Sequence, residues 1–289
     1  MTGSQRSQRA SNLIDSGWQA QLNLRFARAH HQVGARTLMQ RNEHKGPLRV
    51  QRPFYPEGEL AHVYILHPPG GVVGGDRLRI DIDALPGAQV LATTPGSGKF
   101  YLSTGPWARL EQTLTVKAGA SLEWLPQENI LFAGARLHAC TTIEVEDDGC
   151  FIGWDLTSFG RVSRGERFTD GMFFSRLVFK HDQQLLLVEN QRVFDQRSLE
   201  AAAGLRDQSQ QGTLLAFPCN DHALECVRAQ LDVLDASPWS AATLIDRLLV
   251  VRALDNNGEV LQQRMRTLWQ VVRPLLLDRP AVQPRIWAT

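Results

Sequence analysis

Cysteine is scarce in this 289-residue chain, and its four copies, Cys140, Cys150, Cys219 and Cys226, never fall in a C-x-x-C pair. That spacing excludes a paired-thiol zinc motif and argues for free thiols in a reducing compartment. Long apolar runs are missing as well: nothing approaches the roughly 20 residues a spanning helix needs, so no membrane is expected as a partner. An excess of charge is also lacking. With 31 basic and 30 acidic residues the net charge is +1, whereas a dedicated nucleic-acid or anionic-membrane binder carries a basic surplus. The segment 1–16 is rich in Gln, Ser and Arg and has no apolar centre of a signal peptide. It reads as a disordered leader, and the expected location is cytoplasmic.

What is present is alternation. Gln19 to Phe26 and Leu78 to Asp83 place apolar and polar side chains on opposite faces, as do Leu110–Val116 and Ile143–Glu146. A repeat emerges. Leu78–Asp83 leads through Pro86-Gly87 into Val90-Leu91, and Leu110–Val116 leads through Ala118-Gly119 into Leu122-Glu123. Ile143–Glu146 leads through Asp148-Gly149 into Phe151-Ile152, and a degraded fourth copy runs from Arg176–Lys180 through Asp182-Gln183 to Leu185–Val188. Each unit is strand, tight turn, strand. One unit of this length cannot bury its own apolar face, so stacked β units are expected. One circuit of a flattened solenoid and a pair of hairpin legs in a sandwich both fit.

The texture changes after residue 194. The stretch 195–212 is polar and reads as a linker. Pro218–Leu234, Pro238–Leu254 and Asn256–Leu277 then show apolar residues at three- and four-residue spacing, which predicts helices capped at Asn220 or Asp221 and at Ser240. Arg273 sits near the last carbonyls, and Pro274 ends or kinks the final helix. The fold class is therefore mainly β: a solenoid-like stacked β-strand body over 17–194 and a short helical C-terminal region over 213–289.

Motifs for chemistry are few. Gly96-Ser97-Gly98-Lys99 misses the phosphate loop twice, with Thr93 at the first glycine position and Phe100 after the lysine. Gly70 to Gly75 is the densest glycine cluster, but a strand follows it, so the dinucleotide fingerprint is absent. No G-x-S-x-G elbow and no H-E-x-x-H occurs. Cys219, His222 and Cys226 share one face if they lie on a helix, which would suit a soft-ligand metal site. Five acids stand out because they sit among glycine and aromatic residues: Asp76, Glu123, Glu128, Asp155 and Glu166. A buried carboxylate needs a partner, a hydrogen bond or a cation; Arg136, Arg161 and Arg164 are candidate partners.

Several segments, in order along the chain, resemble the UreD (UreH) family of urease accessory proteins. They include Gly46-Pro47-Leu48 with Gln51-Arg52-Pro53-Phe54-Tyr55-Pro56-Glu57, and His67-Pro68-Pro69-Gly70-Gly71 with Gly74-Gly75-Asp76. Lys99-Phe100-Tyr101, Leu122-Glu123-Trp124-Leu125-Pro126-Gln127, Phe132-Ala133-Gly134-Ala135 and Pro284-Arg285-Ile286-Trp287 follow. Gly96-Ser97-Gly98 and Leu102 depart from the family pattern locally. The resemblance implies a non-catalytic scaffold with a β-solenoid-like body. Its implied partners are apo-urease and the accessory proteins UreF and UreG, the last supplying the GTPase, and its implied process is nickel insertion into urease. No tightly bound cofactor is implied; nickel is cargo in transit, and carboxylates with water suit weak transit better than a Cys/His cage. Asp76, Glu123, Glu128, Asp155 and Glu166 are the expected lining of such a path. The alternatives are a β-solenoid or sandwich carbohydrate-active enzyme, and a soluble nickel chaperone with a tight site at Cys219, His222 and Cys226.

Overall fold

The computed structural model describes residues 17–31, 34–234 and 239–288; the expected leader at 1–16 lies outside them. Among these residues eighteen strands and three α-helices follow in chain order. The strands are β1 (Gln19–His31), β2 (Gly34–Lys45), β3 (Arg49–Val50), β4 (Phe54–Glu57), β5 (Leu60–Leu66), β6 (Arg77–Ala84), β7 (Gln89–Thr93), β8 (Gly98–Phe100) and β9 (Ala108–Val116). Next come β10 (Ser121–Leu125), β11 (Asn129–Leu131), β12 (Arg136–Val145), β13 (Cys150–Phe159), β14 (Met172–His181) and β15 (Gln184–Val193). Helix α1 (Gln196–Glu200) precedes β16 (Gln210–Phe217), helix α2 (Asp221–Val233), the hairpin β17 (Ser240–Ile245) and β18 (Leu248–Asp255), and helix α3 (Gly258–Leu277).

The repeat is a stack. Strands β6, β9, β12 and β14 pair in parallel in one sheet, so Ile82, Leu114, Ile143 and Phe179 form a single apolar rung. After each of the first three, the chain turns and crosses to a second sheet, where β7, β10 and β13 also pair in parallel and Val90, Leu122 and Phe151 form the facing rung. At the first two turns Gly87 and Gly119 have φ of 71° and 63°, a region that costs a glycine nothing. The third turn uses Asp147 at φ 48° instead of Gly149. The fourth copy departs from the repeat. Asp182 and Gln183 both have positive φ, the conformation of a tight hairpin, and β15 returns antiparallel to β14 within the same sheet. The main orders are β15-β14-β12-β9-β6-β1-β2 and β17-β18-β16-β13-β10-β7-β5-β3, with β4 beside β5, and β11 beside both β13 and β8, off the second path.

Two hydrophobic clusters result. One fills the space between the sheets; the other lies between the outer face of the second sheet and helices α2 and α3. Asn220 caps α2 by accepting from Ala223 N at 3.0 Å, and Asn257 caps α3 by accepting from Glu259 N at 3.0 Å. The helix expected over Pro238–Leu254 is instead the β17–β18 hairpin among the described residues. Leu248 and Val250 face the inter-sheet cluster while Leu249 and Val251 face the helices. A strand buried on both faces reads as an unbroken apolar run, which spacing alone does not separate from a helix. The polar stretch 195–212 contains α1 and the first residues of β16. Among the described residues no helix is long and apolar enough to cross a membrane.

Candidate functional site

A cavity of about 270 Å³ lies between the sheets. Alternation along β13 sends Phe151, Gly153 and Asp155 towards it and Ile152 towards the helices. Gly153 is required here: a Cβ would sit 2.9 Å from Trp124 O and 2.6 Å from the Phe151 ring. The wall is mostly apolar, relieved by Gln112 and Thr141 from the first sheet and by Thr213, the register partner of Asp155, from the second. Asp155 is the one carboxylate among the described lining residues. Among the described residues the only hydrogen bond its side chain receives comes from Thr157 Oγ1 at 3.4 Å. Burial pushes this carboxyl above its ordinary value, and the Thr157 hydroxyl opposes the shift only in part. His67 at the wall is moved the other way: burial disfavours its charged form, with Asp76 opposing.

The other four acids already have partners. Asp76, 8% exposed, accepts from Trp18 N at 2.8 Å and from Val73 N at 3.0 Å, which ties the glycine-rich loop to the start of β1. Glu128 accepts from Ser97 Oγ at 2.6 Å. Glu166 is bound by Arg161 and by Ala133 N at 3.1 Å; the Arg161 hydrogen bond holds its carboxyl below the usual range. It borders a separate cavity of about 290 Å³ beside Phe168 and Asp207.

Glu123 faces the helices. Fully buried, it accepts from Trp269 Nε1 at 2.6 Å and from Arg273 Nε at 3.0 Å. Burial pushes its carboxyl up, against the pull of Arg273 and Trp269. The same guanidinium donates to Glu57 at 2.8 and 3.0 Å and to Pro280 O, and Glu57 lies 2.7 Å from His62 Nε2. Burial pushes Glu57 up too, but hydrogen bonds from His62 and Arg273 outweigh it and the net direction is down. Arg273 is thus no helix-end cation: it clamps α3 onto β4 and β10. Reading the sequence singled out neither Glu57 nor the role of Arg273. The signal was there, since Leu261, Met265 and Trp269 continue at four-residue spacing into Arg273, an arginine on an apolar stripe. Beside this clamp Trp287 packs on Trp154 and Trp269 and donates to Thr93 Oγ1 at 2.9 Å.

The Cys219, His222, Cys226 set does not assemble. Cys219 precedes the helix and is 5% exposed, while His222 Nε2 and Cys226 Sγ lie 3.7 Å apart near the surface. Among the described residues no three His, Cys, Asp or Glu side chains gather to hold a metal ion. Burial pushes the Cys219 thiol up to about 12. Its folded form therefore keeps a proton that the unfolded chain releases above about pH 9, and stability falls as pH rises through that window. At pH 10 the loss is about 1.4 kcal/mol, and denaturant titrations of Cys219→Ala at pH 8 and 10 should lack that difference.

The family model described as UreD urease accessory protein matches residues 19–288. A protein of Alcanivorax borkumensis named urease accessory protein UreD is 45% identical over 273 residues, covering 94% of this chain and 93% of its own. Proteins with the same name from Pseudomonas putida (strain W619) and Klebsiella aerogenes are 44% and 42% identical, covering 95% and 96% of this chain and 96% and 98% of their own.

Proposed function

The chain belongs to the UreD family of urease accessory proteins, and from that premise we propose that it is a non-catalytic scaffold. In this reading it binds apo-urease together with UreF and UreG in the cytoplasm and passes nickel towards the urease active site through the inter-sheet cavity. The observation that carries the nickel step is Asp155: a half-buried carboxylate, under-supplied with hydrogen bonds, in a cavity lined otherwise by amides, hydroxyls, His67, Lys99 and apolar groups. Carboxylate and water hold a divalent ion less tightly than a closed Cys/His cage, and release is as necessary as entry. Asp76, Glu128 and Glu166, each part-bonded at a loop, are proposed as weak stations outside the cavity. Glu123, held by Trp269 and Arg273 on the helix side of the sheet, stands apart from this route.

The enzyme alternative is less well supported, because a glycosidase of the usual kind needs two free carboxyl groups facing one space: the inter-sheet cavity offers Asp155 alone among the described residues, and Glu166 and Asp207 at the second cavity are each paired with an arginine. The tight-chaperone alternative lacks its third ligand. The test is co-expression of urease with UreF and UreG, with and without this chain. With it, the four components co-purify and urease gains nickel by elemental analysis. Urease that fills with nickel equally well in its absence would sink the proposal.

A further inference from the structure

The two sheets differ on their outer sides. Helices α2 and α3 cover the second sheet, whereas among the described residues the outer side of the seven-stranded sheet carries no covering element. Its side chains follow from register. One rung reads Arg77, Arg109, His138, Phe174 and Arg192, and the next reads Arg79, Glu111, Cys140, Arg176 and Asn190. All five of these arginines are exposed. Arg79 pairs with Asp81 at 2.8 Å. Arg109, Arg176 and Arg192 have no carboxylate within ion-pair distance among the described residues. Arg176 instead donates to Asn190 at 3.1 Å, and Arg192 lies over the Phe174 ring at 5.6 Å. Beyond them on the same face Val188 and Leu185 are 36% and 59% exposed.

We propose that this face, centred on Arg109, Arg176 and Arg192, docks a protein partner whose surface sets carboxylates around apolar residues. Arginine and aromatic side chains together are the composition of a protein interface. The five strands from β6 to β15, about 4.8 Å apart and roughly nine residues long, present on the order of 700 Å², close to the share one partner contributes to a standard complex. A two-fold axis through the Arg109, Arg176 and Arg192 patch would set it against itself, which disfavours a second copy of the chain. The segment 1–16 does not fit either, since it carries Arg6 and Arg9 against Asp15 alone. Glu111 and the apolar side chains within the patch disfavour a polyanion such as DNA.

The proposal rests on the scaffold reading above, and its test separates the two. The tagged chain is co-expressed with apo-urease, UreF and UreG, and partner recovery is compared for the native chain, for Arg109→Glu/Arg176→Glu/Arg192→Glu, and for Arg25→Glu/Arg41→Glu at the far edge of the same face. The triple variant should recover about tenfold less of one partner, with an unchanged melting temperature, while the far-edge variant recovers the native amount. Equal recovery by all three chains overturns the docking face, as does equal loss in both variants. A native chain that recovers nothing overturns the scaffold reading instead. A self-association by light scattering, or retention of a DNA duplex, that disappears in the triple variant while partner recovery stays whole also overturns the proposal.

Discussion

Replacing Arg273 with leucine should lower stability by about 3–5 kcal/mol, the usual consequence of removing one partner from a buried ion pair. For a chain of this size that is a fall of about 5–8 °C in melting temperature, read by thermal denaturation at pH 7. The expectation follows from burial. Arg273 is fully buried, and it is the guanidinium that meets both Glu57 and Glu123, themselves 8% and 0% exposed at the side chain. Without it, two carboxylates share a dry site with His62 as their remaining basic neighbour. Their folded-state pKa values would then stand above the unfolded ones, so the variant loses stability above the unfolded carboxyl range and regains it as pH falls. The deficit against the native chain should therefore narrow between pH 7 and pH 5. The triple change Arg273→Leu/Glu57→Gln/Glu123→Gln should recover a large part of the loss, because it removes the stranded charges. A melting temperature within about 2 °C of native for Arg273→Leu would show that the clamp does not anchor α3.

That clamp also marks where reading the sequence stops. The stacked body was legible because its information is local: alternation sets each strand's faces, and the turns at Gly87 and Gly119 lie inside the repeat. Parallel register then follows, since only one alignment stacks Ile82, Leu114, Ile143 and Phe179. The fourth copy failed to cross because Asp182-Gln183 can close a two-residue hairpin, a choice that periodicity does not report. The β17–β18 hairpin was hidden for a different reason: a strand sandwiched between two apolar clusters has no polar face to betray its period. Glu57 and Arg273 are 216 residues apart, and no spacing rule connects them. The expected lining groups all five acids together, although alternation and register divide two of them. Glu123 and Asp155 occupy opposite faces of the same sheet, so one had to meet the helices and the other the cavity. Which of the two faces was which depended on where α3 packs.

Asp155→Asn should lower the nickel delivered to urease by roughly tenfold or more, the scale on which metal affinity or activity responds when an outer group of a metal site is changed, while leaving the fold at least as stable. The two signs together carry the argument. Asn fills the same volume, so no cavity opens and Gly153, Thr213 and Trp124 keep their neighbours. The native carboxyl has its pKa raised by burial, which means its ionised form at neutral pH detracts from stability; a neutral amide removes that penalty. A merely structural Asp155 would therefore yield a variant that is as stable as native and equally competent. A nickel station would yield one that is as stable, still co-purifies with apo-urease, and fills it poorly. The measurement is nickel per urease active site after co-expression, with thermal denaturation of the variant alongside. Full nickel loading with Asp155→Asn would remove the cavity from the route and leave the loop carboxylates Asp76, Glu128 and Glu166 to carry the ion over the outside of the molecule. Because carboxylate charge, and not side-chain shape, is what distinguishes the two residues, Asp155→Glu should restore part of the loading if it folds. Its extra methylene must fit beside the Trp124 and Phe151 rings in a wall that already excludes a Cβ at Gly153.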